Sequence, residues 1–595
     1  MLTAVLSAVM ISGVHAATMY PNEVLEIGAG ETTTWNNLDN LQGGDADSPF
    51  VKDGEGTLRF ENVQGSTTNY YKAPIVAREG KVEFVDSTIY AHGAYTPSGH
   101  ANTWLMVGGQ NAEMTFTNSS FNIATGETHM NVGTADGSGT LTLDNTNMKI
   151  TGSIFSGYHS YAGNEDSWGL GWYYNYNGTA ATDDIPAENQ NPKSIEHRYT
   201  DGSYTDGYNG QNRKFGEGTI NVTNGSKLDV ATAFTMGTST LNVDGAGSSV
   251  VSQTGYGGIV ADGSGWEDTY AIILGRWSGA KSTINVTNGA QIEAFGQLRT
   301  QRSSSLANTY NEINVDGEGS KFHVKATANL GLYEGTNNTT VVNITNGGEA
   351  AFAKAVLGYD VDMSIGEGSF YSGTSLHMKS DSVTVTNAGL MTVESVLVEG
   401  GLLTNSGKIT GDIFVDGGTF TMENGAVAAG LTATSGTINL SGNVTFTGAV
   451  SLGSVVAADP ALALLSGSES DTLTVYITKD TNIVLDDSIL SVDGQQFVVG
   501  DNTEIIVDLG NVAYAEGTPL FTLTGSNGTQ LTNTAAALED KMTVTWKDEN
   551  GDTQSVSGAT ADMSGSITTN AVPEPTTATL SLLALASLAM RRRRK

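Results

Sequence analysis

The 595-residue chain has no cysteine, which excludes disulfides, thiolate catalysis and cysteine-ligated zinc. Proline is scarce at 10 residues, so the 74 glycines belong neither to a collagen-like helix nor to a proline-rich linker. Charge is sparse as well: 15% of residues are Asp, Glu, Lys or Arg, against about 25% in an ordinary soluble domain. The surface must therefore be built mainly from Thr, Ser, Asn and Gly, which suit pleated strands and tight turns. Basic residues are the rarer sign, 28 against 63 acidic, and the net charge of −35 repels phosphate backbones, so no nucleic-acid partner is expected. There is no G-x-S-x-G elbow, no H-E-x-x-H pair and no P-loop, and the eight histidines are scattered.

What the chain does have is one phrase, repeated. Residues 218–230 read GTINVTNGSKLDV, 283–295 read STINVTNGAQIEA, and 341–353 read VVNITNGGEAAFA. A second version, L/I-N-V-D-G-x-G-S, alternates with it at Leu241–Ser248 and Ile313–Ser320, and Met363–Ser369 is a degenerate copy. Each phrase is a strand of period two, Ile and Val on one face and Asn and Thr on the other, closed by Asn-Gly or Asp-Gly, which tolerate positive φ. No single copy buries enough apolar surface to fold alone, whereas stacked copies lay Ile over Ile and Val over Val. Asparagines at equivalent turns are then expected to form hydrogen-bonded ladders between coils. Separations of 21, 43, 29, 29 and 41 between successive phrases fit one or two coils of about 20 residues plus insertions. The expected fold is all-β, a right-handed parallel β-helix (β-solenoid). An array of β-hairpins competes, because Asn-Gly between alternating runs is also a hairpin signal.

The two ends read as addresses. Leu2 to Val14 is an apolar run and Val14-His15-Ala16 a small-x-Ala site, predicting a signal peptide over 1–16 cut by signal peptidase after Ala16, although no Lys or Arg precedes the run. The C-terminus is ordered as Pro573-Glu574-Pro575, an apolar run from Thr576 to Met590, and the basic stop Arg591, Arg592, Arg593, Arg594, Lys595. Positive charge after an apolar helix stays cytoplasmic, leaving what precedes it outside. As a helix the run spans about 22 Å, short of the roughly 30 Å hydrocarbon core, which suits a temporary anchor.

This tail resembles the PEP-CTERM sorting signal of Gram-negative-type bacteria. The resemblance implies an exosortase as partner, cleavage near Pro573-Glu574-Pro575, and membrane contact through the C-terminal helix only before processing. It places the protein in transit at the inner membrane and then at the cell surface or secreted, in a family that often accompanies exopolysaccharide and biofilm. INVDGEGSKFHVKATANLGLYEGTNNTTVVNITNGGEAAF, residues 313–352, resembles the repeat shared by type V secretion passengers and PEP-CTERM proteins, which implies a surface-displayed β-solenoid.

The expected organisation is a signal peptide at 1–16, N-terminal coils at 17–155, an aromatic-rich insertion at 156–216 and the repeat solenoid at 217–458. A C-terminal β-domain or cap at 459–571, with longer strands and fewer glycines, precedes the sorting signal at 572–595. The insertion holds Trp168, Trp172, Tyr173 and Tyr174 among amides and carboxylates, a composition that suits sugar rings and makes these residues candidate glycan contacts; the plainer reading is a folded loop with its own aromatic core. Trp266, Tyr270 and Trp277 form a second, smaller group. Asp360 and Asp362, or Asp183 and Asp184, are candidate Ca²⁺ ligands, but none lies in a complete D-x-[DN]-x-[DN]-G loop, so solvated turns without metal or cofactor are expected. A parallel β-helix can carry a lyase or hydrolase, which would need clustered carboxylates on neighbouring coils. Here Asp183-Asp184 and His197-Arg198 fall in the insertion, and no catalytic residue is expected. The leading reading is a non-enzymatic surface protein of the envelope, matrix or biofilm. An adhesin binding extracellular polysaccharide or host glycan comes second, and a polysaccharide lyase or hydrolase third.

Overall fold

The computed structural model describes residues 24–38, 50–68, 75–92, 102–125, 128–134, 138–158, 216–253, 270–276, 278–301, 306–453, 473–485, 497–499, 502–511, 517, 519–525, 541–548, 550–561 and 566–569. They are all-β, without an α-helix, and fall into two units. The first runs to Thr384 and takes in Gly389–Thr392; the second is Val385–Ala388 with everything described from Val393 onward.

In the first unit the repeated phrase is one side of a three-strand coil. Glu217–Thr223, Lys227–Val230 and Phe234–Met236 follow one another. Each pairs, parallel and in register, with its counterpart in the next coil, namely Ser239–Asp244, Ser249–Ser252 and Tyr270–Leu274. Those pair in turn with Lys281–Thr287, Gln291–Ala294 and Gln297–Thr300. Every described ladder within this unit is parallel, so Asn-Gly here turns a corner of a coil and does not close a hairpin. The pattern is that of a β-solenoid.

The stacking extends well before the legible repeat. One inward row runs Trp35, Phe60, Phe84, Phe116, Leu143, Val222, Val243, Val286, Val315, Ile344, Ile365 by strand register. The row beside it runs Leu58, Val82, Met114, Leu141, Ile220, Leu241, Ile284, Ile313, Val342, Met363. From Leu58 on, each member of both rows is buried. In the early coils aromatic rings replace Val: Phe84 is stacked on Phe60 at 4.9 Å and on Phe116 at 4.5 Å, with ring planes 10° and 9° apart.

A left-handed Asn or Asp stands at the corner after the first strand in coil after coil: Asn62, Asp86, Asn118, Asn145, Asn224, Asn288 and Asn346, with φ between 47° and 57°. In the early coils a Ser or Thr follows, and its hydroxyl accepts from the backbone of the previous coil. Val63 N donates to Ser87, Ser87 N to Ser119, Ser119 N to Thr146 and Thr146 N to Ser226. This buried hydroxyl column escaped the sequence reading; Asn/Asp followed by Ser/Thr at a strand end was its signal.

The separations between repeats resolve as single coils with added length. Asn242 bonds to Asn221 across 21 positions and Asn285 to Asn242 across 43, so the long interval is a single coil carrying an excursion between Gln253 and Tyr270. Ser138–Asp144 likewise pairs directly with Glu217–Thr223, although residues 159–215, outside the described residues, come between them in sequence.

Near the N-terminus Lys52 is fully buried, and its Nζ donates to the carbonyls of Gly54 (2.5 Å), Glu79 (2.7 Å) and Gly56. Beside it Arg78 pairs with Asp53 out of solvent. Burial pulls the Lys52 amine down to about 8, against the opposing pull of the Asp53 and Glu79 charges. Because the folded value lies below the unfolded one, this group's contribution is greatest above the ordinary lysine range and is lost as pH falls through about 8. Lys52→Met would leave those carbonyls short of a donor, and a local loss of about 1–3 kcal/mol is expected. Faster amide exchange across residues 50–85, with residues 310–345 unchanged, is the predicted readout.

In the second unit the parallel winding continues past residue 459. Leu431–Leu440 pairs with Leu473–Thr478, that strand with Thr503–Asp508, and the last with Met542–Lys547, all parallel. Among the described residues, antiparallel pairing enters only where Thr553–Ser557 runs back along Met542–Lys547 and Ser566–Thr569 lies against Pro519–Gly525 and Ala559–Ala561. The change in composition after 459 thus marks neither the longer strands expected there nor a separate β-domain from its start. The described strands run 3–7 residues, against 10 or 11 in Lys321–Leu330, Asp412–Met422 and Leu431–Leu440, and the antiparallel strands come last, where a cap would cover open edges.

Candidate functional site

The outward side of the phrase strand is a grid of amides and hydroxyls. Asn221, Asn242, Asn285, Asn314 and Asn343 stand over one another, half-buried, and each amide donates to the oxygen of the one before at 2.8–2.9 Å. Asn221 opens the ladder on Thr142, and Ser364 closes it on Asn343 at 3.1 Å. These are the mid-strand asparagines of I-N-V. The ladder expected from the turn asparagines also forms, Asn145 donating to Asn118 at 2.9 Å and Asn337 to Asn308 at 3.0 Å, whereas Asn224, Asn288 and Asn346 meet an aspartate.

The turns explain why two versions of the phrase alternate. In Thr-Asn-Gly turns Asn and Gly both have positive φ, and the residue after them donates back to Thr (Ala290 N to Thr287 O, 3.1 Å), the type I′ pattern. In Asp-Gly-x-Gly-Ser turns only glycines carry positive φ, and Ser320 N bonds Gly317 O at 3.1 Å. The first kind is rich in donors, the second in acceptors. Thr287 Oγ1 and Asn288 Nδ2 both donate to Asp244 Oδ1 at 2.6 Å on the preceding coil. Gly289 N donates to Ser320 Oγ at 3.0 Å on the following coil. Two coils later Thr345 and Asn346 donate to Asp316 at 2.7 and 2.6 Å, and Gly347 N to Ser369 at 3.2 Å. Asn224 likewise donates to Asp144 and Gly225 N to Ser248.

Asp316→Ala removes the acceptor of two such bonds. The site is half exposed, so the expected cost is about 1–2 kcal/mol, below the range for fully buried charged acceptors. Faster exchange confined to residues 339–347 would report it, and Asp316→Asn, which keeps an acceptor oxygen, should cost less.

A second outward surface carries charge. Lys321, His323 and Lys325 alternate along one strand; Lys321 and His323 meet Glu349 at 3.0 Å each, and Lys325 meets Glu293 at 3.0 Å. Partial burial acts to raise the Glu349 carboxyl, but Lys321 and His323 outweigh it and hold the group below its ordinary value. These bonds are therefore lost only as pH falls through that lowered value. Beside them lies a shallow groove of about 180 Å³ over Ala351, Ala353, Ser372 and Gly373, well under the roughly 300 Å³ at which small-molecule sites begin.

Of the residues singled out in the sequence, Tyr270 has a defined place: the buried Arg299 guanidinium lies 5.0 Å from its ring and 5.2 Å from that of Tyr333, bonding both hydroxyls. Asp360 and Asp362 are described; Asp360 N donates to Ser382 Oγ and Asp362 faces outward in the ladder beside Val341. Among the described residues no three His, Asp or Glu side chains gather as a metal site. Ala16, Trp168, Trp172, Tyr173, Tyr174, Asp183, Asp184, Trp266, Trp277, Pro573, Glu574, Pro575 and Arg591 to Lys595 lie outside the described residues, as does the Thr576–Met590 run. Among the described residues no helix is long and apolar enough to cross a membrane.

Residues 571–595 match the PEP-CTERM protein-sorting motif. No curated protein and no solved structure matches the chain. The motif indicates a protein targeted by an exosortase and therefore secreted or displayed at the cell surface. It covers the sorting tail, and the 11-member stacked row from Trp35 to Ile365 described above is what that tail delivers.

Proposed function

We propose that the protein is a non-enzymatic structural component of the cell envelope, extracellular matrix or biofilm, wound as a right-handed parallel β-helix. In this reading the signal peptide is removed after Ala16 and the 576–590 run holds the chain briefly in the inner membrane of a Gram-negative-type bacterium. Arg591 to Lys595 then stay cytoplasmic, and an exosortase cuts near Pro573-Glu574-Pro575. The kinship of the repeat with type V secretion passengers belongs to the same reading. Its main support is the sorting motif at 571–595 behind a body of stacked, self-satisfied polar coils. Groups already bonded to one another suit a scaffold better than a reactive centre.

The test is expression in paired hosts with and without an exosortase. Loss of the 576–595 peptide and arrival outside the cell are expected only where the enzyme is present. Identical C-termini in both hosts would refute the proposal, and release of reducing sugar from pectin or mucin glycans would replace it with a catalytic one.

A second reading, adhesion to extracellular polysaccharide or host glycan, is favoured by the composition of the aromatic insertion, which in sequence separates the strands Ile154–Tyr158 and Glu217–Thr223. Glycan-array binding lost in Trp168→Ala with Trp172→Ala would support it; an array without signal for the unaltered protein would dismiss it.

A further inference from the structure

We propose that Asn550-Gly551 is a site of spontaneous deamidation, and that the interlocked turns suppress the same reaction at Asn224, Asn288 and Asn346. Asn-Gly is the peptide pair most open to this chemistry, because glycine offers no side chain to hinder its own nitrogen. The glycine N–H loses its proton to base, and the nitrogen attacks the asparagine Cγ. Ammonia leaves, and the resulting succinimide takes up water to give aspartate or isoaspartate. Nothing but water and hydroxide is consumed.

Five Asn-Gly pairs lie among the described residues, at 224, 288, 346, 424 and 550. At the first three both reacting groups are held apart. Asn288 Nδ2 is tied to Asp244 on one neighbouring coil at 2.6 Å, while Gly289 N donates to Ser320 on the other at 3.0 Å. Asn224 is tied to Asp144 with Gly225 on Ser248, and Asn346 to Asp316 with Gly347 on Ser369. To react, Cγ and the glycine nitrogen must leave partners on opposite sides of the turn. Asn424 is held on one side, its Oδ1 accepting from Asn443 N at 2.9 Å while Gly425 N donates to Asn443 O.

Asn550 differs. It sits in an exposed turn tied to Asp548, its own N bonding Asp548 Oδ1 and Gly551 N bonding Asp548 O. Its side-chain amide has no partner among the described residues. Such a turn opens locally at little cost, whereas the coil turns open only with their neighbours. The sequence pair is the same at all five positions; the fold decides which reacts.

The experiment is peptide mapping by mass spectrometry of the purified full-length chain aged in mildly alkaline buffer, with an isoaspartate readout. Asn550 is expected to convert first, and Asn224, Asn288 and Asn346 to lag by roughly tenfold or more, as groups held out of near-attack geometry do. In denaturant all five should react at similar rates. Asp244→Ala should speed Asn288 while leaving Asn346, which leans on Asp316, unchanged. Equal rates in the folded chain, or the same ranking folded and denatured, would overturn the proposal. Should Asp244→Ala unfold the coils, Asn346 would accelerate too, and the folded-against-denatured comparison of the unaltered chain still decides.

Discussion

Val286→Asp is expected to open the coils around it. Val286 is fully buried, with Val243 before it and Val315 after it in register, so a carboxylate there meets aliphatic carbon on both sides. An unpaired buried charge either stays costly or neutralises at a cost, and a loss of about 4 kcal/mol or more is expected. Stacked repeats draw stability from their neighbours, so the damage should spread to both flanking coils. Amide exchange should collapse across Ser239–Asp244, Lys281–Thr287 and Tyr310–Asp316 together. Val286→Thr, similar in shape with one hydroxyl, should cost only about 1–3 kcal/mol. An aspartate tolerated with protection intact would mean that this row is not a continuous core.

Phe84→Ala comes next in size. The ring lies nearly parallel between Phe60 and Phe116, and it is fully buried. Truncation should cost about 3–5 kcal/mol, transfer and cavity terms together. Phe84→Leu, which fills most of the volume, should recover more than half of that. Exchange is expected to quicken in Thr57–Glu61 and Ile75–Val85 while Thr339–Thr345 stays protected. If alanine and leucine behave alike, the stack contributes little beyond bulk apolarity.

How much of this was legible depends on which atoms carried the order. The Ile and Val rows of the repeat could be read because period-two alternation in I-N-V-T-N-G fixes which side chains share a face. The earlier coils were faint because Phe60, Phe84, Phe116 and Met114 fill the same rows with other shapes, and register lies in the partner strand, not in the local pattern. The asparagine ladder was foreseen at the turns, where Asn145 bonds Asn118 and Asn337 bonds Asn308, but its longest run is mid-strand. Mid-strand asparagines directly above one another present amide to carbonyl, whereas the Thr-Asn-Gly turn asparagines meet an aspartate on the coil below. The alternation of the two phrases was visible, but its cause, donor turns against acceptor turns, needs both coils at once. Past residue 459 the loss of glycine suggested a separate β-domain or cap and gave no sign that strands such as Thr503–Asp508 keep pairing parallel.

For the candidate site the balance is reversed. The sorting motif is short, linear and read by an enzyme, so its residues are legible without a fold, and residues 571–595 match it. The glycan contacts proposed at Trp168, Trp172, Tyr173 and Tyr174 rest on composition, which names a chemistry but not an arrangement. Tyr270 illustrates the difference: a tyrosine that suits a sugar by type is used instead to hold Arg299 against Tyr333.

Intact-mass measurement of the protein recovered from the surface of its own cells, or from their medium, is the most direct test. A chain lacking residues 1–16 and ending close to Pro573-Glu574-Pro575 is predicted, with any added mass at the new C-terminus identifying its attachment. A surface protein that still carries Arg591 to Lys595 would contradict export through an exosortase.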